Sequence, residues 1–409
     1  MNMREHWRDF RALDVHQRAA FVASWLGWML DAFDFFLLVF VVRAIAHDFS
    51  TTVQAVSVAI VLTLAMRPLG ALIFGRLAER YGRRPLLMLD VLLFSVFEVA
   101  SAFAPSLTVL LVLRALFGIA MGGEWGIGAA LTMETLPPRL RGVASGVLQQ
   151  GYAFGYLFAA LAYWLLFDHI GWRGMFILGV LPALLALYVR LRVHESPSWR
   201  SRVARGERVD LLAALRGHWP MVLQIVVLMT AFNFLSHGTQ DLYPTFLQAD
   251  RGLSTHTVGA ITALASVGAI LGGTLFGALS QQLGRQRAIA IAAMLVVPLV
   301  PAWVMPHDPL YLAVSGFALQ FFVQGAWGIV PAFLNELSPP QPRSTFPGAA
   351  YQLGNLLASV NASLQAGLAL RFGGYAGALA AIAVLAAIAV AMLALHASAR
   401  ELPLQRELA

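Results

Sequence analysis

Residues 233–245 read "NFLSHGTQDLYPT" and place an asparagine, a histidine, a glutamine and an aspartate within two and a half helical turns. On a helix Asn233, His237, Asp241 and Thr245, each four residues from the next, form one stripe flanked by Ser236 and Gln240. An imidazole one turn from a carboxylate can hydrogen-bond or ion-pair with it, and either group can carry a proton. The stripe interrupts an apolar stretch that begins "MVLQIVVLMTAF". Such groups are costly in hydrocarbon, so they belong on the wall of a polar cavity rather than against lipid. Pro244 lacks a backbone donor and predicts a kink near Gln240.

Other polar residues sit in apolar runs in the same way. Asp31 and Asp34, in "WMLDAFDFFLL", share a helix face. Two carboxylates so close in low dielectric do not both ionise readily, which makes them candidate proton carriers beside Asp241, His237 and Glu124. Arg67, in "AMRPLGALIFG", lies eight residues before Gly75, about 12 Å into its helix. Its guanidinium keeps its charge and can grip a carboxylate with two bonds, making it the first choice for an anionic substrate. A structural ion pair to Asp31 or Asp34 is the alternative. Gln352 and Asn355, in "YQLGNLLAS", share a face and are candidate hydrogen-bond partners for the same ligand, as are Asn233, His237 and Gln240. Arg114 could equally pair with Glu98 or Glu124 for structure. Glu124 stands in "MGGEWG", where the glycines also fit close helix packing.

The elements that must position these groups are membrane spans. The chain is 59% hydrophobic and 12% charged, too little charge for the surface of a soluble protein of this size. Apolar segments long enough to cross a bilayer recur at about 19–46, 55–78, 85–104, 107–131, 143–167, 172–192, 218–248, 256–281, 286–305, 309–333, 346–370 and 375–397. The fold expected is all-α and integral to the membrane, with about twelve transmembrane helices. The first segment is too long and too rich in aspartate to read as a cleaved signal peptide.

All 28 basic residues are arginine, and there is no cysteine. Most of the arginines fall on one side of the expected membrane. The other side holds only Arg43, Arg173, Arg251 and Arg371, while Arg67 and Arg114 lie within spans. By the positive-inside rule both termini are cytoplasmic, as in a multi-pass protein of a bacterial-type inner membrane. The positive charge therefore orients the chain and recruits no nucleic acid. No nucleotide loop, metal-ligand cluster or nucleophile constellation appears, so neither an enzyme nor a cofactor is expected.

Aligning the chain with itself at an offset of 202 residues pairs "GRLAERYGRR" with "GALSQQLGRQ", "EWGIG" with "AWGIV", and "ETLPPRLRG" with "ELSPPQPRS". An even number of crossings separates corresponding points, so the two six-helix halves run parallel. The halves expected are residues 1–191 and 220–409, joined by a charged cytoplasmic linker at 192–219. At this offset Asn233 corresponds to Asp31 and Ser236 to Asp34.

The loop "GRLAERYGRR" resembles the G-x-L-a-D-r-x-G-r-r motif of the major facilitator superfamily, with Glu79 in the aspartate place. That resemblance covers nearly the whole chain and implies alternating access. The cytoplasmic latch would use Gly75, Glu79, Arg80, Gly82 and Arg83, with Arg114 and the repeated pairs Glu134 and Arg141, Glu336 and Arg343. Arg114 also resembles a fourth-helix arginine linked in that family to proton transfer. Gln281 replaces the acid in the second copy, which implies a weaker latch there. Asn233-x-x-Ser236-His237-x-Thr239-Gln240-Asp241-x-x-x-Thr245 is similar to the signature of the lactate/monocarboxylate permeases of the sialate:proton symporter group. It implies proton-coupled symport of a small organic anion by a monomer embedded in lipid. The rival substrates are sialic acid or an aromatic acid, although Ala32 departs from the D-G-[YF]-D of aromatic-acid permeases. A non-transporting sensor on the same scaffold is the reading from another class, disfavoured by the lack of a sizeable soluble signalling domain.

Overall fold

The computed structural model describes residues 13–196, 199–201, 219–337 and 346–398. Most of the expected 192–219 linker, Arg343, and the side chains of Glu79, Arg141 and Glu336 lie outside the described residues. Among the described residues every regular element is helical. The first half comprises α1 (Val15–Asp48), α2 (Val53–Tyr81), α3 (Arg83–Ala102), α4 (Leu107–Thr135), α5 (Pro138–Ile177) and α6 (Leu181–Arg192). The second comprises α7 (Trp219–Gln240), α8 (Tyr243–Ala249), α9 (Thr255–Leu283), α10 (Arg285–Val296), α11 (Val300–Val304), α12 (Pro309–Trp327), α13 (Val330–Leu337), α14 (Phe346–Ala358), α15 (Asn361–Phe372) and α16 (Tyr375–Ser398).

Among the described residues, 9 stretches are long and apolar enough to cross a bilayer. The stretch Val147–Leu185 carries two of the expected spans; the turn between them is Gly171, with φ 63° and ψ −174°. Two further expected spans complete the set. One is α1, 34 residues long and buried along most of its length. The other breaks between Ala358 and Asn361 into α14 and α15.

The offset of 202 recurs in the backbone. Positive φ occurs at Ser50 and Gly252, at Gly82 and Gly284, and at Gly171 and Gly373. The hydroxyls of Thr52 and Ser254 cap α2 and α9 in the same way, and Ser106 and Asp308 cap α4 and α12. Gly82 and Gly284, at φ 110° and 83°, end one span and begin the next in a conformation that a side chain would strain.

Packing follows the logic of a bilayer. Large apolar residues such as Leu72, Val96, Leu184 and Leu385 are exposed at the perimeter, and the polar groups are interior. Helices gain little by burying Leu from lipid, so close backbone approach at small residues carries much of the association. Gly70, Gly118 and Gly122 of α4 and α2 let the two helices touch: a Cβ at each would meet the carbonyl of Ile119, Thr63 and Arg67 respectively. In the second half Gly268 and Gly272 of α9 stand in the same way against the carbonyls of Phe317 and Phe321 on α12. The halves meet where α9 packs on α5 and where α2 packs on α14 and α15.

Candidate functional site

Helix α7 carries the polar stripe and stops at Gln240; a turn at Asp241 and Leu242 precedes α8, whose second residue is Pro244. The expected kink is therefore a break, with Asp241 at its edge. His237 Nδ1 lies 3.0 Å from Asp241 Oδ1, with side-chain exposures of 2% and 0%. The other carboxylate oxygen, Oδ2, has no hydrogen-bond partner. Phe35 of α1 stands edge-on to the His237 ring at 5.8 Å. Asn233 Nδ2 donates to the Met229 carbonyl of its own helix at 2.8 Å, and Thr245 is buried.

The flank of the stripe faces α12. Gln240 Nε2 donates to Gln320 Oε1 at 3.0 Å, Gln320 Nε2 donates to Thr239 Oγ1 at 3.0 Å, and Gln324 Nε2 donates to Ser236 Oγ at 3.1 Å. The structure thus places Gln240 in a helix-packing network, while Asn233, Ser236 and His237 line a pocket with Gln149, Tyr152, Gln324, Trp327 and Tyr351. Sequence reading missed Tyr152, Trp327 and Tyr351. Aromatic residues abound in these helices, and although Trp327 is the repeat counterpart of Trp125, nothing in the spacing pointed these three into a pocket.

Arg67 is 1% exposed. Its Nη2 lies 3.5 Å from Asp31 Oδ2, and its Cζ lies 5.6 Å from the Trp28 ring and 6.0 Å from the Tyr351 ring. Nε and Nη2 lack hydrogen-bond partners, as do both oxygens of Asp31. The ion pair kept as the alternative is present, and it leaves donors to spare on a guanidinium seated between aromatic faces. Tyr351, on α14, brings this arginine next to the second half. Gln352 and Asn355 are buried on the same helix, with Asn355 Nδ2 donating to Gln352 Oε1 at 3.0 Å.

Arg114 pairs with Glu98, one of the two partners expected for it. It donates to Glu98 Oε2 at 2.5 Å and to Ser101 Oγ at 2.8 Å, between Phe117 at 4.5 Å and Phe176 at 4.9 Å. Asp34 is wholly buried and neither of its oxygens is hydrogen-bonded. Glu124 packs its carboxyl against Gly27 of α1, one turn from Asp31, and is equally without partners. Asp90 of α3 joins this group: it is 0% exposed and both its oxygens are unpaired. Sequence reading passed over it. The clue was present, since Asp90 and Glu98 stand eight apart in the otherwise apolar "LLMLDVLLFSVFEVAS".

The candidate latch residues gather where α2 turns into α3. Arg83 pairs with Glu134 at 3.3 Å, and Ser196 Oγ donates to the other oxygen of Glu134 at 2.5 Å. Glu195 accepts from the backbone N–H of Arg83 at 3.0 Å and of Arg84 at 3.1 Å, capping α3. A Cβ at Gly82 would collide with the Glu195 carboxylate, whereas Gly75 has open space around it. Arg80 is exposed and lies over Tyr81 at 5.3 Å. Glu195 and Ser196 are additions from the structure. In the second copy Arg285 donates to Ser280 at 2.5 Å.

Among the described residues no group of three or more metal-ligating side chains occurs. The family model for the Major Facilitator Superfamily matches residues 24–254 and 226–409. A carboxylic acid transporter protein homolog of Saccharomyces cerevisiae is 28% identical over 379 residues, which span 86% of this chain and 61% of that protein. The sialic acid transporter NanX of Escherichia coli is 28% identical over 356 residues, 84% of this chain and 85% of the relative. The solved structure of the E. coli xylose transporter XylE shares the fold with a TM-score of 0.73 at 19% identity, covering 92% of this chain and 97% of that one. The chain belongs to the Major Facilitator Superfamily and is a membrane transporter, not an enzyme.

Proposed function

We propose that the protein carries a lactate- or pyruvate-type monocarboxylate together with protons by alternating access. The observation that carries this reading is the placement of two unlike devices about one pocket: Tyr351, which lines it, lies against Arg67, and His237 lines it beside Asp241. Arg67, buried with unused donors, offers a permanent positive charge to a carboxylate. His237 and Asp241, 3.0 Å apart on the other half, form a buried pair able to take up a proton. With the pair unprotonated the site presents little net positive charge beyond Arg67, itself matched by Asp31. Protonating Asp241 frees His237 to donate to the incoming anion, and the anion in turn favours the protonated site. Proton and anion then cross with their charges largely cancelled.

Gln352, Asn355 and Asn233 would complete the anion's hydrogen bonds, with Asp31, Asp34 and Glu124 as the other proton-carrying candidates. In this reading residues 1–191 and 220–409 rock about the pocket, both termini face the cytoplasm, and the Arg83–Glu134 cluster latches the cytoplasmic end. The yeast carboxylic acid transporter homolog among its relatives supports the carboxylate. A second reading, sialic acid or an aromatic acid, is favoured by the ring-lined pocket of Tyr152, Trp327 and Tyr351 and by the relative NanX. Purified protein in proteoliposomes under an imposed pH gradient tests both. Accumulation of L-lactate or pyruvate above equilibrium is expected. Accumulation of benzoate or sialic acid with none of lactate or pyruvate moves the substrate to the second reading, and accumulation of none of them contradicts the symport reading.

A further inference from the structure

The 202-residue repeat holds in turns and caps but not at two helix breaks of the second half. The stripe helix α7 stops at Gln240, whereas its counterpart α1 runs unbroken through the equivalent residues Val39 and Phe40. The eleventh span divides at Ser359 and Val360, whereas α5 is helical through the equivalent Leu157 and Phe158. Ser359 supports that division locally, giving its N–H and its hydroxyl to the Leu356 carbonyl at 3.3 and 2.7 Å.

The two breaks meet. The Gly238 carbonyl is one of the last four of α7, which have no partner within the helix. Gln365 Nε2 of α15 donates to it at 2.6 Å, and Gly238 lies in sequence between His237 and Asp241. A Cβ at Gly238 would meet Ile382 of α16 at 2.7 Å and stand 3.8 Å from Asn361 Nδ2, so α15 and α16 press on this last turn of α7. Gln365 and Asn361 are 0% exposed, and Gln365 Oε1 and both amide atoms of Asn361 have no hydrogen-bond partner. A joint that keeps buried amides in this state has hydrogen bonds to gain by rearranging. Nearer the start of the span, α14 crosses α7 in backbone contact, where a Cβ at Gly354 would stand 2.8 Å from the Met229 carbonyl carbon. The same α14 carries Tyr351, which lies against Arg67, and the bonded pair Gln352 and Asn355. One divided span therefore has its first part on the anion device and its second on the proton device. The titratable side chains that feel the charge of Asp241 are Tyr152 and Tyr156 on α5. Tyr351 lines the pocket beside His237, with Arg67 and its partner Asp31 beyond that ring. From α1 the pair meets Phe35, and α12, α15 and α16 turn Gln320, Gln365 and Ile382 toward the end of α7.

We propose that the divided eleventh span couples the two devices, with Gln365 as the pin that sets Asp241 relative to His237. An anion held at Arg67 shifts α14 through Tyr351, Gln352 and Asn355 about the crossing at Gly354. The division at Ser359 passes that shift to α15, and Gln365 draws the Gly238 carbonyl with it. The turn at Asp241 then changes its distance from His237, and with it how tightly the pair holds a proton. By reciprocal linkage a proton on the pair strengthens anion binding by the same factor. Gln365 is not part of the pocket lining and is a positioning residue for coupling. This inference rests on the symport reading above.

Gln365→Met is close in volume, removes the donor and takes the orphaned Oε1 with it. Labelled L-lactate, and in parallel benzoate, is followed in proteoliposomes of the native and variant proteins. Exchange is read at equal pH on both sides, and accumulation under an imposed pH gradient. The native protein should show both, with an apparent KM that rises about tenfold between external pH 5.5 and 7.5, within the usual span of linked binding. Gln365→Met should keep exchange, lose accumulation and flatten that rise to about twofold. A lower melting temperature with native accumulation and an unchanged pH profile of KM marks a merely structural role and overturns the proposal. Loss of exchange together with loss of ligand-induced thermal stabilisation at both pH values also overturns it, since Gln365 would then shape the anion site itself. So does a variant that no longer folds, which makes the pin a packing contact. A native protein that accumulates neither anion and whose KM ignores pH contradicts the symport reading itself, and the proposal falls with it.

Discussion

Two buried arginines in one half stand in different surroundings. Arg114 directs Nη2 to Glu98 and Ser101 between two phenyl rings, whereas Arg67 pairs with Asp31 and lies against Tyr351 of the pocket; each leaves two nitrogens without a hydrogen-bond partner. Arg114→Met strands Glu98 as an uncompensated buried carboxyl and should cost about 3–5 kcal/mol, read as a lower melting temperature in detergent. Adding Glu98→Met removes the stranded charge and should restore much of that loss. A double variant no more stable than the single one would mean that Arg114 does more than neutralise its partner. Arg67→Lys keeps the charge and loses the planar fork, so affinity for the anion should fall by about tenfold or more. Unchanged apparent affinity in both Arg67→Lys and Arg67→Gln would leave Arg67 as a partner for Asp31 alone. At this scale the sequence exposed which groups were out of place in an apolar run. It could not say which of Glu98, Glu124, Asp31 and Asp34 each arginine meets, because that depends on how α1 to α4 are rotated against one another.

The helices were legible because their signals are local. Hydrophobic length marks the spans, hydroxyls and Asp308 mark their starts, and glycine marks the turns at 82 and 284. Breaks were partly legible: Pro244 forecast one near Gln240, but nothing in the sequence forecast the division of the eleventh span after Ala358. Contacts between helices were not legible, since Gly70 and Gly75 look alike in "GALIFG". The structure separates them. Gly70→Ala drives a methyl into the Ile119 carbonyl at the α2–α4 crossing, so it should lower the melting temperature. Gly75→Ala meets open space on a helix and should raise stability by about 0.5–1 kcal/mol. Equal effects from the two substitutions would contradict the close crossing that seats Arg67.

For the whole molecule, the repeat at 202 residues was the most informative single feature. It forecast two alike halves, and it reappears in φ values, caps and glycine contacts that composition does not report. Substrate identity was not legible at this scale, because it depends on the width of a pocket assembled from both halves. The arginine asymmetry predicts a cytoplasmic 192–219 linker, so introduced-cysteine labelling of that linker from outside intact cells should fail. Proton coupling at the His237–Asp241 pair is tested most directly by accumulation of labelled carboxylate in proteoliposomes of the native protein and of Asp241→Asn under an imposed pH gradient. The native protein should concentrate the anion. Asp241→Asn, which mimics the loaded state, should lose concentration against the gradient while retaining exchange between two loaded faces. An Asp241→Asn protein that still concentrates its substrate in response to the pH gradient would contradict coupling at this pair and move it to Asp31 and Asp34.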